Sequence, residues 1–274
     1  MLQAIVELIG PAGSGKSILS QLLVKTIQPV CGEKPINVLL IDACIDQGLS
    51  YQLMTGQLLN TDPGQSMADE ASLTRLVQHL IENEARYRLK GNGPIQRQEA
   101  QQAIDWEFSN LPLTIALDGE TDVDLLTVGL LTEHLPKPIL DILRYGFTRF
   151  LNTYDYVVVD GYHPLIHPML LAVSEAPILN TLVISHPSGK DILPTNFQNV
   201  KTPALVITQF RGEPFSQALQ AAIEQQEVKL VGKMPVFAIE DVLSPSLVTQ
   251  FYDCLRFIDM PLTHTQMAKS RISS

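Results

Sequence analysis

Short apolar runs alternate along the chain with longer stretches in which apolar residues recur at helical spacing. The runs cover residues 3–9, 37–42, 113–117, 155–160, 180–184, 203–208 and 228–232. They are apolar throughout rather than alternating, which is typical of parallel strands covered by helices on both faces. Helices are predicted between them, chiefly at 137–152, 213–226 and 244–257. The alternation predicts an α/β fold with a doubly wound, mostly parallel sheet flanked by helices.

Residues 60–112 interrupt this alternation. The stretch is polar and rich in Gln and Glu, with a clear break at GNGP, residues 91–94. We interpret it as a helical insertion between strands. The expected organisation is one α/β domain over residues 1–264, with the insertion at about 60–112. Residues 265–274 are expected to form a flexible tail.

Composition and charge narrow the class of protein. The chain has 274 residues, of which 45% are hydrophobic and 18% charged, which suits a globular protein with a large core. A formal net charge of −10 argues against a broadly basic nucleic-acid-binding surface, although a local basic patch stays open. No segment has the pattern of a signal peptide or a transmembrane helix, so we expect a cytoplasmic protein.

The three cysteines, Cys31, Cys44 and Cys254, are far apart and form no C-x-x-C pair. An odd number at such spacing favours reduced thiols in the cytosol over a disulfide framework or a zinc site.

Residues 10–17 read GPAGSGKS and fit the phosphate-binding pattern G-x-x-x-x-G-K-[ST]. The strand-like run at 3–9 precedes them, and apolar residues at helical spacing follow. Strand, glycine loop and helix are the context that this motif requires. The residues predicted to contact a nucleotide here are Gly10, Pro11, Ala12, Gly13, Ser14, Gly15, Lys16, Ser17 and Ile18.

The residue types of the loop suit phosphate chemistry. Gly10, Gly13 and Gly15 allow positive φ and a close approach of the backbone to phosphates. Successive N–H groups would form an anion nest at the positive end of the following helix. Lys16 would neutralise the β- and γ-phosphates, and the Ser17 hydroxyl would bind Mg²⁺.

Two aspartates end predicted strands. YDYVVVD closes on Asp160, in a Walker B pattern, and NVLLID closes on Asp42. Either alone is weak evidence, because Asp is common in turns after strands. Together with the loop, they predict a metal site formed by Ser17, Asp42 and Asp160.

With these motifs in this order, the sequence resembles the ParA/MinD-type P-loop ATPases of the SIMIBI class. NVLLIDACIDQGLSYQL is similar to their "LLIDxDPQGxL" segment, and YDYVVVDGYHPL to "YDYVIVDxPPGL". VDLLTVGLL is similar to "hxLLPxG", and KLVGKMPVF to "hhGhIPxD", which lies beside the adenine in the family. The resemblance implies an ATPase that uses ATP/ADP and Mg²⁺, with Met234 and Pro235 near the base.

The chain departs from the family at two positions. Pro11 stands where the family usually has its signature lysine, which contacts the nucleotide across a dimer. Cys44 stands where the family has a second acid that positions the attacking water, and a thiol cannot replace that carboxylate. Asp46 could do so if its loop bulges, so the catalytic residues implied by the resemblance are Lys16, Asp42 and Asp46. Thr208-Gln209 stand at the family's base-reading positions.

The resemblance implies a slowly hydrolysing switch with a protein partner and a homodimeric state. Partition of plasmids or chromosomes, conjugation and polar positioning all fit this reading. The absence of cysteines from residues 130–154 disfavours the nickel-insertion branch of the family. Two alternatives stay open. One is a small-molecule kinase or ligase with the same loop, and the other is a non-catalytic nucleotide-binding adaptor, which Pro11 and Cys44 both favour.

Two further groups of polar residues match no complete motif. His163 and His167 have helical i, i+4 spacing, but Pro164 between them disfavours a metal site, and a position of one histidine near the γ-phosphate stays open. An acidic cluster is interpreted as a solvated loop; its members are Asp118, Glu120, Asp122 and Asp124.

Overall fold

The computed structural model describes residues 2–11, 13–30, 36–44, 49–50, 53, 72–89, 93–117, 122–131, 134–173, 177–184, 204–212, 214–225 and 229–235. The strands are β1 (Ala4–Ile9), β2 (Val38–Asp42), β3 (Leu113–Ala116), β4 (Asp122–Thr127), β5 (Tyr156–Asp160), β6 (Ile178–Ile184), β7 (Ala204–Phe210) and β8 (Lys229–Pro235). The helices are α1 (Lys16–Val30), α2 (Leu73–Glu82), α3 (Glu84–Tyr87), α4 (Pro94–Ser109), α5 (Lys137–Leu151), α6 (Ile166–Val173) and α7 (Gln217–Glu224). The chain packs as two compact units, Met1–Ile5 with Asn37–Ile178, and Val6–Ile36 with Leu179–Ser274.

The first unit contains strands in the order β3-β4-β2-β5. Strand β2 runs parallel to both β4 and β5. Every residue of β2 and β5 is buried. This burial explains why both strands are apolar until the aspartate that ends each of them.

Strand β3 corrects one expectation. Residues 113–117 were expected to form a buried parallel strand, but β3 runs antiparallel to β4 and its side chains are mostly exposed. An antiparallel edge strand can keep one face in water, so its composition does not reveal its pairing partner.

Strand β4 was not predicted, and Asp122 and Asp124 lie in it rather than in a solvated loop. The Asp124 carboxylate accepts hydrogen bonds from the Thr114 hydroxyl at 2.7 Å and from the Tyr154 hydroxyl at 2.9 Å. Burial, together with this hydrogen bond, raises the pKa of Tyr154 above its ordinary value. Asp118 and Glu120 lie outside the described residues.

The described part of residues 60–112 is helical, as predicted, and contributes to the core of the first unit. Helix α2 begins after Ser72, whose hydroxyl accepts a hydrogen bond from the Arg75 N–H at 3.2 Å. In α4, Phe108 is buried against Phe147 and Gly146 of α5. A Cβ on Gly146 would collide with the Phe108 ring, so the glycine allows the two helices to approach closely. The domain boundaries expected from the sequence stay a prediction.

The second unit has parallel strands in the order β6-β7-β8. Leu205 and Ile207 of β7 pack with Leu219 and Ala222 of α7 in its core. Helix α7 lies within the predicted helix at 213–226, whereas the predicted helix at 244–257 lies outside the described residues. Together, the parallel strands and packed helices of the two units confirm the predicted α/β class with a mostly parallel sheet.

None of the helices in the described part of the chain is long and apolar enough to cross a membrane.

Candidate functional site

The glycine loop of the second unit joins β1, which ends at Ile9, to α1, which begins at Lys16. Two of its residues adopt the left-handed conformation, Gly13 with φ 74° and Gly15 with φ 86°. A side chain at either position would be strained, because L-residues rarely adopt this region. The loop therefore depends on glycine for its main-chain shape.

Gly10 is required for a different reason. It is absent from the described glycines with positive φ. A Cβ at this position would collide with the carbonyl oxygen of Val183 and lie 2.9 Å from the Ser14 hydroxyl oxygen. Gly10 thus allows the start of the loop to pass close to the backbone of β6, which is a packing role rather than a conformational one.

Lys16 contacts the loop that precedes it. Its ammonium donates a hydrogen bond to the Pro11 carbonyl oxygen at 2.9 Å, and the residue is only 8% exposed. The same carbonyl accepts the Ser14 N–H at 3.2 Å. A phosphate would offer Lys16 a charged acceptor in place of a neutral carbonyl, which makes a stronger hydrogen bond. Ser17, in the first turn of α1, is half-buried.

Thr208 of β7 holds the loop from outside the motif. Its hydroxyl donates a 2.7 Å hydrogen bond to the Ser14 carbonyl oxygen, and both residues are buried. Its methyl carbon would be 3.4 Å from a Cβ on Gly15. Thr208 and Gln209 stand at base-reading positions in the resemblance, whereas the structure shows Thr208 supporting the loop. Thr208 and Ser14 are 194 residues apart, so no local pattern could reveal this contact.

The first unit contains a second group of candidate residues, Asp42, Cys44 and Asp160, here called the carboxylate–thiol cluster. Asp42 and Asp160 are paired in register at the ends of β2 and β5, and both are fully buried. One ligand atom from each of the three side chains lies within 4.8 Å of the other two. Two buried carboxylates side by side repel each other, so a bound cation or a proton would stabilise the pair.

Ser50 orients Asp42. The Ser50 N–H and hydroxyl donate to Asp42 Oδ2 at 2.8 Å and 2.7 Å, and the Cys44 N–H donates to Oδ1 at 3.2 Å. The carboxylate is therefore fixed in direction by three hydrogen bonds. Ser50 was not predicted as a site residue, because a serine eight residues after a strand-ending aspartate matches no recognisable pattern.

Cys44 packs against the backbone that follows Asp160. Its thiol donates to the Asp160 carbonyl oxygen at 3.5 Å. Gly161 has φ 99°, and a Cβ there would be 2.6 Å from Cys44 Sγ. Gly161 therefore provides both the left-handed turn and the space that the cysteine side chain occupies.

The remaining predicted site residues are Ala12, Ile18, Asp46, Met234 and Pro235, and the structure describes only some of them. Ile18 is half-buried in α1. Met234 and Pro235 belong to β8, but their side chains lie outside the described residues. Ala12 and Asp46 also lie outside them, so the predicted function of Asp46 stays a prediction.

The two histidines have local contacts. His163 is buried, and its Nδ1 accepts the Leu165 N–H at 3.2 Å. The His163 carbonyl accepts the His167 N–H at 2.9 Å, and the His167 ring packs on Tyr162 with centroids 5.3 Å apart. These contacts support the turn that leads into α6.

No protein-family model matches the sequence, and no curated protein sequence matches it either. Solved structures do match. The septum site-determining protein MinD from Pyrococcus horikoshii OT3, complexed with Mg-ADP, has a TM-score of 0.53 at 12% identity, covering 97% of this chain and 99% of that one. Apo McdA from Cyanthece has a TM-score of 0.53 at 12% identity, covering 98% of this chain and 99% of that one. This chain shares the fold of the MinD and McdA structures.

A third structure agrees. The MinC:MinD cell division protein complex of Aquifex aeolicus has a TM-score of 0.51 at 13% identity, covering 93% of this chain and 95% of that one. The resemblance seen in the sequence motifs is thus confirmed at the level of the ParA/MinD-type fold. Because a shared fold does not determine chemistry, the activity has to be argued from the loop and the cluster of this chain.

Proposed function

We propose that this chain is a Mg²⁺-dependent ATP-binding protein that hydrolyses ATP slowly and acts as a switch. The observation that carries the proposal is the loop, in which two left-handed glycines stand just before the buried Lys16 at the start of α1. Loop N–H groups and a helix N-terminus together favour an anion. The fold-related MinD is complexed with Mg-ADP, which supports the same class of ligand here.

Each predicted residue has a distinct part in the proposal. Lys16, which donates to the Pro11 carbonyl in this structure, would donate to oxygens of the β- and γ-phosphates of a bound nucleotide. Mg²⁺ prefers oxygen ligands, and the hydroxyl of Ser17 and the carboxylates of Asp42 and Asp160 fit that preference. That these three residues serve one ion stays a prediction from the sequence. When bound, the ion would supply positive charge that stabilises the transferred phosphoryl group.

Slow hydrolysis is the expected consequence of Cys44. A residue that positions or deprotonates the attacking water contributes about 10²–10⁴-fold to a rate, and a thiol is a poor substitute for a carboxylate. A slow ATPase is suited to switching a partner surface between two states. We propose that this switch acts in plasmid or chromosome partition, in conjugation or in polar positioning. The MinC:MinD complex supports the proposal of a protein partner.

Phosphate release tests the water-positioning segment. We expect a low rate in the wild type, a higher rate in Cys44→Asp, and loss of any residual rate in Asp46→Ala if Asp46 has taken over. If the acid is truly lost, Asp46→Ala is neutral and Cys44→Asp alone produces a gain. A readily measured rate that neither substitution changes would contradict the assignment of residues 42–46.

A non-catalytic nucleotide-binding adaptor is the second candidate. Pro11 and Cys44 favour it, because the resemblance assigns the residues that they replace to the contact across a dimer and to positioning the attacking water. The two candidates differ when ATP binding and phosphate release are measured on the same preparation, with and without cellular extract. Saturable binding without release under either condition would identify the adaptor.

The dimeric state is tested by light scattering without nucleotide, with ADP and with ATP. Because Pro11 carries no ammonium, we expect ATP-driven dimerisation to be weak or to use other contacts. A tight dimer that forms only with ATP, with Pro11 at its centre, would show that the signature lysine is dispensable.

A further inference from the structure

We propose that Asp42, Cys44 and Asp160 bind a thiophilic divalent cation, with Zn²⁺ as the type ion, through one sulfur and two carboxylate oxygens. One ligand atom from each side chain already lies within 4.8 Å of the other two. The three residues come from two parallel strand ends and the segment after β2, all within the first unit. A solvent molecule would complete a four-coordinate site.

The spacing of the donor atoms suits a small ion. Zinc binds sulfur at about 2.3 Å and carboxylate oxygen at about 2.0–2.2 Å, so neighbouring donors around a tetrahedral ion are roughly 3.3–3.8 Å apart. Donors that are at most 4.8 Å apart reach this spacing through side-chain adjustments of about 1 Å. The register of β2 and β5 places both carboxylates, and no rearrangement of the strands is needed.

Charge and hydrogen bonding favour a cation at this position. Asp42 and Asp160 are fully buried next to each other, and a divalent ion would offset their mutual repulsion. Ser50 fixes the direction of the Asp42 carboxylate through Oδ2. Hydrogen bonds of this kind orient metal ligands and increase the affinity of a site.

Cys44 determines the class of ion. Mg²⁺ is hard and takes oxygen ligands, whereas a cysteine sulfur favours Zn²⁺ and similar soft or borderline ions. The sulfur occupies space that any side chain at position 161 would fill. Cys44 is half-buried rather than fully buried. On binding, the thiol releases its proton to the buffer as the metal–sulfur bond forms.

This metal site does not depend on the proposed nucleotide binding, so the two can fail separately. If the proposed ATPase activity exists, the thiophilic ion would compete with Mg²⁺ for Asp42 and Asp160. Micromolar Zn²⁺ would then inhibit phosphate release, and a chelator would restore it.

The direct test is titration of the full-length, chelator-treated protein with Co²⁺ in the absence of nucleotide. Coordination by Cys44 produces a thiolate-to-metal charge-transfer band that saturates at one equivalent and disappears when Zn²⁺ is added. We expect the band to be lost in Cys44→Ser and to persist in the matched controls Cys31→Ser and Cys254→Ser. Asp160→Asn should weaken Co²⁺ binding by at least about tenfold, because it removes a charged ligand.

The proposal is overturned if Cys44→Ser retains the band, or if the wild type shows none. A second measurement needs no variant: Zn²⁺ should slow the alkylation of Cys44, followed by peptide mass spectrometry, at least about tenfold more than that of Cys31 and Cys254. Equal protection of all three cysteines, or protection of none, would also contradict the site.

Discussion

In the second unit, the loop from Gly10 to Lys16 is shaped by its main chain, whereas in the first unit side chains from separate segments form the carboxylate–thiol cluster. The loop depends on the left-handed Gly13 and Gly15 and on the hydrogen bond from Lys16 to the Pro11 carbonyl. The cluster depends on two buried carboxylates, with Ser50 and Cys44 donating to one of them.

The loop and the cluster are expected to tolerate different substitutions. In the loop, the decisive feature is the absence of side chains, so adding a single methyl group should be damaging. In the cluster, the decisive feature is the identity of the side chains, so isosteric replacements should change binding more than stability. Substitutions matched in size but different in chemistry can therefore separate the two regions.

The largest effect is expected for Gly10→Ala, compared with Gly13→Ala. The new methyl group at position 10 meets the Val183 carbonyl of β6, whereas a Cβ at position 13 meets nothing within 4 Å. We expect Gly10→Ala to lower the free energy of unfolding by about 3 kcal/mol, since a backbone cannot move aside easily. Gly13→Ala should lower the free energy of unfolding only by the strain of an alanine in the left-handed conformation, about 1–2 kcal/mol.

Urea denaturation of both variants measures this difference. Equal losses of stability in the two variants would show that backbone strain, and not the contact with β6, determines which side chains the loop tolerates.

An intermediate effect is expected for Gly161→Ala. The left-handed strain and the contact with Cys44 together should lower stability by about 2–3 kcal/mol. Because the nearest atom is the cysteine sulfur, the double variant Gly161→Ala, Cys44→Ala should recover about 1 kcal/mol in a double-mutant cycle. Strictly additive losses would mean that Cys44 does not occupy the space beside Gly161.

The smallest effect on the free energy of unfolding is expected for Thr208→Val, with Thr208→Ser as its control. Valine keeps the size of threonine but leaves the buried Ser14 carbonyl without this donor, which costs about 1–2 kcal/mol. Serine retains the hydroxyl and should behave nearly as the wild type. We expect nucleotide affinity to fall in the valine variant only, as measured by calorimetry. If both variants bind alike, Thr208 does not position the loop.

The loop was predictable from the sequence because its residues are consecutive, and Gly13 and Gly15 have a local consequence in their positive φ. The reason for Gly10 was not predictable, because its contact is with Val183 of β6. The aspartates of the cluster were predictable for a similar reason, since each ends an apolar run. Ser50, Gly161 and Thr208 were not predictable as contacts, because their partners lie in other segments. Strand β4 was missed because Asp122 and Asp124 interrupt its apolar pattern, and the edge position of β3 is a property of pairing.

Binding of nucleotide phosphates by the loop is tested by the affinity of Lys16→Ala for Mg-ATP and Mg-ADP. Equilibrium binding is measured by calorimetry beside the control Lys137→Ala, which removes an exposed lysine at the start of α5, outside the loop. Hydrogen bonds to charged groups are worth about 1.5–3 kcal/mol, so Lys16→Ala should bind at least about tenfold more weakly. The control should bind as the wild type does. A folded Lys16→Ala protein with undiminished affinity for both nucleotides would contradict the account.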